Sequence, residues 1–255
     1  MGLFVGIGVL LKASVIIAFV AVLLDIFISK INKKILCRVA LCLGVTAVVF
    51  GSWNVIFQKS KWVDTQEYES LNMPVTHWIM MALKGDGGYR QEDFDFSNSF
   101  PSRAEKKAAQ IEEIKNRVRS YGSVDNFVEF EVNKIANVLA DNRYIQNNHM
   151  EWCRNRGLLF EVVLETGKYF SKFSAYTKIF GTTMFMLWLF GIYKGIRDKN
   201  KDKDFLLHVT IFGVILFFML WETRSRYLLN YTPVFLLAAV GGISELKILF
   251  DKNKK

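Results

Sequence analysis

The chain has 255 residues, of which 51% are hydrophobic, 15% aromatic and 22% charged, with 3 prolines and a mean hydropathy of +0.19. That composition excludes disorder, which requires low hydrophobicity. The formal net charge is +9, but the apolar residues fall in nearly uncharged blocks of about 17 to 20, the length of a membrane-crossing helix. The sequence therefore reads as an all-α polytopic membrane protein and not as a basic soluble domain.

In chain order, Met1–Leu11 is apolar but too short to cross a bilayer. Five crossing helices are expected, at Ala13–Ser29, Val39–Phe57, Tyr176–Tyr193, Phe205–Trp221 and Tyr227–Leu246. They divide the chain into a two-helix membrane segment (1–57), a polar domain (58–175) and a three-helix membrane segment (176–255). Lys12 stands at the entry to the first helix and Asp25 lies inside it. Such an opening fits a chain whose earlier helices are missing. The alternative is one long tilted helix over Met1–Ser29, with Lys12 in a protein-lined site. No basic region precedes the first apolar run, so no signal peptide is read.

The 58–175 segment holds 16 basic and 17 acidic residues, which leaves 17 basic and 7 acidic for the rest. Most of that excess lies after helices one, three and five, in Lys30–Arg38, Lys194–Lys203 and Lys247–Lys255. Short Lys/Arg-rich loops stay cytoplasmic. The expected location is thus the plasma membrane, with 58–175 extracytoplasmic and the basic tail inside. The basic excess follows from topology, so no nucleic-acid partner is expected.

Within 58–175, Asn72–Met81 reads as a short interfacial helix containing His77 and Trp78. Lys84-Gly85-Asp86-Gly87-Gly88-Tyr89 breaks it and leads into an acidic-aromatic loop, Gln91–Phe96. Pro101-Ser102-Arg103-Ala104-Glu105 is a capping box. Apolar residues then recur at Ala104, Ala108, Ile111, Ile114, Val118 and Tyr121, and predict a buried helix face. Gly122 ends that helix. A second helix is expected over Val124–Ala140, with Phe127, Val128, Ile135, Val138 and Leu139 buried, and a further amphipathic stretch over Leu158–Leu164.

Cys37, Cys42 and Cys153 give no disulfide framework. With His77, His149 and His208 they give no zinc-ligand spacing, so no metal is expected. No phosphate-cradling Gly-rich loop, Walker sequence or nucleophile elbow is present, and no cofactor is expected. Trp221-Glu222-Thr223-Arg224-Ser225-Arg226-Tyr227 pins two arginines and a carboxylate at the membrane–water boundary. Guanidinium groups there can grip a lipid phosphate, and they can equally snorkel to bulk headgroups. Lys12 and Lys178 fall at the same level. His77, Asp93 and Asp95 are the candidates for acid–base work, and Asp86 and Glu92 could likewise supply a general base or hold a cation. His77 also suits an interfacial anchor, and the acidic residues, with Asp86 and Glu92, suit a solvated turn. Asp25 can pair with the Lys30 cluster.

Three segments together carry a family resemblance: Pro74-Val75-Thr76-His77-Trp78-Ile79-Met80-Met81-Ala82-Leu83 followed by Gly88-Tyr89 and Asp93, the capped helix at Ser97–Ser102, and Trp221–Tyr227. From about Leu11 to Gly242 the chain resembles the C-terminal part of Gram-positive membrane glycosyltransferases of the GT-C superfamily, relatives of protein mannosyltransferases and lipid A aminoarabinose transferases. The resemblance implies transfer of a sugar from a polyprenyl-phosphate carrier to a cell-envelope acceptor on the outer face. Arg224 and Arg226 would take the carrier phosphate, Glu222 would orient them, and an N-terminal partner half would supply the family's catalytic carboxylate. The competing expectation is a non-catalytic membrane subunit that binds the lipid carrier in envelope assembly. The observation that would weigh most between these readings is whether a lipid-sized groove ends at Arg224 and Arg226, where the carrier-binding expectation places it.

Overall fold

The computed structural model describes residues 1–28, 32–60, 64, 68, 71–141, 157–198 and 204–252. Lys30, His149, Cys153 and the basic residues at 199–203 lie outside these, and so does the expected pairing of Asp25 with Lys30. Among the described residues every regular element is helical. Three helices are long and apolar enough to cross a membrane, over Lys33–Phe57, Phe170–Arg197 and Ser225–Lys247, while Ala13–Ile28 and Phe205–Leu220 are apolar but shorter.

The chain opens with α1 (Gly2–Leu11), a short 3₁₀ turn (Ala13–Val15) and α2 (Ile16–Ile28). One long helix over Met1–Ser29 does not form. Lys12 is extended (φ −155°, ψ 110°), and the chain reverses there, bringing Val15 against Gly8. α1 lies instead along α3 (Lys33–Lys59), with Gly2 against Cys42 and Val45 and Gly6 against Val49. Side chains at those glycines would hold the two helices apart. α3 begins at Asn32, whose side chain accepts a hydrogen bond from the Ile35 amide at 2.9 Å, a standard N-cap contact.

The second membrane unit comprises α9 (Phe170–Asp198), α10 (Phe205–Leu220), a 3₁₀ stretch (Ser225–Tyr231) and α11 (Thr232–Lys252). Its core contains Trp188, Ile211, Val214, Phe218, Phe235 and Ala238. α9 and α11 share the most extensive seam. Gly242 lies directly on the Leu187 carbonyl, and a Cβ on Gly191 would stand 3.6 Å from the Gly242 backbone. The Trp188 indole donates to His208 Nδ1 at 2.9 Å, a polar pair within the bundle. Tyr231 donates its hydroxyl to the Ser14 carbonyl at 2.5 Å and ties the α1–α2 corner to this unit.

Between the two units lie α4 (Val75–Ala82), α5 (Gln91–Asn98), α6 (Arg103–Ser120), α7 (Val124–Ala140) and α8 (Leu158–Val163), here termed the cap. Ser102 accepts from the Glu105 amide at 3.2 Å and Gly122 takes φ +72°, as the capping pattern predicts. α7 has the expected bounds, and Ser123 caps it through the Asn126 amide at 3.1 Å. Three expectations are corrected. The acidic stretch Gln91–Phe96 belongs to helix α5, its first turn stabilised by Glu92 and Asp93. α6 buries its polar stripe, Lys106, Gln110 and Arg117, while Ala104, Ala108, Ile111 and Val118 face outward. α7 packs against the membrane helices, and Val138, expected to be buried, lies within the core formed by Trp188, Phe218 and Phe235. Val128, expected to be buried, is half-exposed.

The glycine seam yields a contrast that thermal melting in detergent can check. Gly242→Ala forces its methyl into the Leu187 carbonyl and should cost about 1–3 kcal/mol. Gly191→Ala meets ordinary van der Waals spacing and should leave the melting temperature within about a degree or two of wild type.

Candidate functional site

Two chain segments far apart in sequence meet where the cap joins the membrane unit. Gly85 and Gly87 take left-handed conformations (φ +62° and +74°), which bend residues 84–88 into a tight loop. The Thr223 amide donates to the Gly87 carbonyl at 2.8 Å, and the Thr223 hydroxyl donates to the Asp86 carbonyl at 3.0 Å. Arg224 Nη2 donates to the Tyr89 carbonyl at 3.0 Å. A side chain at Gly87 would strike both Lys134 and Thr223. Trp221 stacks between Phe217 (centroids 5.5 Å) and Trp78 (6.4 Å). The segment after α10 is thus laced to the cap over its length and is not a bare turn between two helices.

On this seam Glu222 is buried, at 1% exposure. Its Oε2 accepts from the Tyr227 hydroxyl at 3.2 Å, and Arg224 Nε stands 3.7 Å from Oε1. Burial pushes the Glu222 carboxyl above the usual range, against the opposing pull of Tyr227, Arg224 and Arg226. The Arg226 guanidinium lies 5.2 Å from the centre of the Tyr227 ring and the Lys12 ammonium 5.3 Å from it, both within cation–π range. Lys12, Arg226 and Glu222 therefore meet at one tyrosine, and Arg224 joins them through Glu222. Lys178 is exposed on α9, and among the described residues no hydrogen bond or ion pair joins it to the other three cations.

The acid–base candidates lie elsewhere. His77 is fully buried. Its Nδ1 shares a hydrogen bond of 2.7 Å with the Ser97 hydroxyl. Gln110 donates to the same hydroxyl at 2.9 Å and accepts from Thr76 at 2.5 Å. Burial holds the His77 imidazole below its usual range, and the Lys106 and Arg117 charges add to this against Asp93. The expected interfacial anchor is in fact part of the cap's interior. Asp93, at 2% exposure, takes both Arg117 Nη atoms at 2.6 and 3.1 Å, and Arg117 also donates to the Met80 carbonyl at 2.8 Å. Asp93 clamps α5, α6 and α4 together and does not sit in a solvated turn. Asp95 is exposed and accepts from Gln91 at 2.9 Å. Among the described residues no group of three or more His, Cys, Asp or Glu could hold a metal ion.

The sequence reading named Asp86 and missed a groove. Asp86 is exposed, pairs with Arg90 at 3.5 Å and accepts from the Gly88 amide at 3.0 Å, and a side chain at Gly88 would meet both its carboxylate and the Arg224 guanidinium. The missed feature is an apolar groove of about 520 Å³ between α7, α9 and α10, with Glu131 in its lining. Neither Arg224 nor Arg226 lines it, so the lipid-sized groove does not end where it was expected. The signal that could have found it was Glu131 and Lys134, three residues apart on an otherwise apolar helix face.

The chain belongs to a family described as conserved hypothetical integral membrane protein, whose family model matches residues 1–245. No curated protein and no solved structure matches it.

The cap interior makes two measurable predictions. Asp93→Asn leaves the Arg117 charge buried without its bidentate partner and should cost about 3–5 kcal/mol in denaturant unfolding. His77, neutral in the fold, gains a proton more readily once unfolded. Stability should therefore be full above its unfolded value of about 6.5 and decline as pH falls below it. His77→Gln should flatten the decline in melting temperature between about pH 7 and 5.

Proposed function

We propose that this protein is a lipid-binding membrane component that holds the phosphate of an anionic carrier lipid at Lys12, Arg224 and Arg226. The supporting observation is the cluster around Tyr227 and Glu222: Lys12 and Arg226 lie against the Tyr227 ring, and Arg224 stands 3.7 Å from the buried Glu222 carboxylate that accepts from Tyr227. Two forked guanidinium groups and an ammonium match the oxygens of a phosphate monoester or diester. The site lies at the cap end of an apolar helix bundle, where a headgroup would meet it while its tail stays in hydrocarbon. Lys33, Lys34 and Arg38 open α3, and Lys194 and Arg197 close α9, at the helix ends remote in sequence from the cap. Together with the basic tail, they support a plasma-membrane orientation with the cap extracytoplasmic.

Glycosyl transfer from a polyprenyl-phosphate-linked sugar is the second reading, and Asp86 favours it. Its exposed carboxylate, paired with Arg90 at 3.5 Å and across Gly88 from Arg224, could deprotonate an acceptor while the cations stabilise the departing lipid phosphate. The non-catalytic reading comes first because His77 and Asp93 are committed to the cap's interior.

The test is retention of a polyprenyl monophosphate by the protein in phosphatidylcholine nanodiscs, read by native mass spectrometry. Replacing Arg224 and Arg226 together by Ala should lower retention at least about tenfold, as loss of charge-assisted hydrogen bonds would. Equal retention by the double variant rejects the site. Asp86→Asn separates the two readings. It should leave lipid retention unchanged, and it should abolish sugar transfer in membranes supplied with lipid-linked sugar only if the second reading holds.

A further inference from the structure

The groove between α7, α9 and α10 is a second site, on different elements from the cation cluster and with the opposite charge logic. Ile135 and Leu139 of α7, Phe185 of α9, and Ile215 and Met219 of α10 form its apolar walls. Glu131, the charged residue of the lining, is 3% exposed. Its Oε1 accepts from Lys134 at 2.8 Å. Its Oε2 is buried and has no hydrogen-bond partner among the described residues. A buried acceptor left unpaired is costly and calls for a donor.

Lys134 cannot be that donor. Its other protons go to the Ala82 carbonyl at 3.2 Å and the Met219 carbonyl at 3.0 Å, and an ammonium has only three. Water is a poor substitute, because a buried water needs several polar partners and these walls offer few. Glu131 and Lys134 already balance each other's charge. A phosphate or carboxylate would meet the Glu131 carboxylate, and a cationic headgroup would leave an unmatched charge in apolar surroundings. A neutral hydroxyl satisfies Oε2 and changes the net charge by nothing. The groove's volume of about 520 Å³ suits a hydrocarbon chain, and its α7 wall runs from Phe127 to Ala140 as α7 enters the membrane unit.

We propose that this groove takes the hydrocarbon chain of a neutral lipid whose hydroxyl donates a hydrogen bond to Glu131 Oε2. The proposal does not depend on the lipid-phosphate reading.

The experiment uses the full chain in phosphatidylcholine nanodiscs with a diacylglycerol carrying a photoreactive diazirine on one acyl chain. Cross-links should map to the groove walls on α7, α9 and α10. Unlabelled diacylglycerol should compete about tenfold better than the same lipid with its hydroxyl acetylated, the factor expected for one hydrogen bond to a charged acceptor. Glu131→Gln keeps the side chain's shape and its contact with Lys134, and should erase that preference. Ala136→Phe fills the groove from an exposed position on its rim and should abolish labelling with the melting temperature intact. The second variant keeps the test open should the first fail to fold. Equal competition by the two lipids, or undiminished labelling of Ala136→Phe, overturns the proposal.

Discussion

One buried ammonium fixes the cap to the membrane helices. Lys134 has a side chain with no exposed surface, and it distributes its protons over three acceptors from three elements. These are Glu131 on α7, the Ala82 carbonyl at the end of α4 and the Met219 carbonyl near the end of α10. Helix C-terminal carbonyls lack intrahelical donors and carry partial negative charge, so two of the three acceptors are ends that would otherwise be unsatisfied. Removing an ammonium from water costs several kcal/mol, and only full coordination offsets it. The arrangement is therefore strongly specified. Its three partners must arrive together, and with them come the glycine loop that touches Lys134 and the Thr223 segment bonded to that loop. The positions of Glu222 and Arg224 follow from there.

The cap interior extends the same principle. α6 buries Lys106, Gln110 and Arg117 at spacings of four and seven residues, which places them on one helix face as regularly as any apolar stripe. Each finds a partner on α4 or α5: Asn98 for Lys106, Ser97 and Thr76 for Gln110, Asp93 and the Met80 carbonyl for Arg117. Apolar periodicity predicts the opposite face, because Ala104, Ala108, Ile111 and Val118 repeat at the same interval. Both stripes are present in the sequence. The choice between them depends on whether the polar stripe can be satisfied in three dimensions, and that information lies in α4 and α5, not in α6. The element's existence and ends were legible, because Ser102, Glu105 and Gly122 are local signals. Its orientation was not, because its partners are tens of residues away.

The candidate site divides along the same line. That Lys12, Arg224 and Arg226 occupy one depth follows from counting residues along apolar spans, and the structure brings Lys12 and Arg226 to one ring and Arg224 to the carboxylate beside it. Lys178 satisfies the same count, yet it stands exposed on α9, since depth alone says nothing of which way a helix faces. Tyr227 reads in sequence as one more belt aromatic, while in the fold it meets Lys12 from one chain segment and Arg226 and Glu222 from another. Asp93 reads as a solvated acid because its neighbours Gln91, Glu92 and Asp95 are polar. A single arginine 24 residues away puts it in the interior.

The length of α10 and the descent of α7 are one constraint seen from two sides. Sixteen residues of α-helix reach about 24 Å, short of a hydrocarbon core of about 30 Å. A helix that stops early leaves its last carbonyls where no water can satisfy them. Here the cap supplies the missing donor, since Lys134 reaches the Met219 carbonyl. A side chain can do that only if its helix enters the bundle, and α7 does so with Val138 anchored among Phe218 and Phe235. Once a cap helix runs down beside α9 and α10, it cannot match them along its whole length. The residues on its flank are small at Ala136 and Ala140, and the space they leave is the groove. The carboxylate that neutralises Lys134 then stands in the groove's lining with one oxygen unspent. A shortened helix, a buried ion pair and an apolar cavity with a carboxylate in its wall thus share one physical origin, the need to satisfy backbone carbonyls at membrane depth.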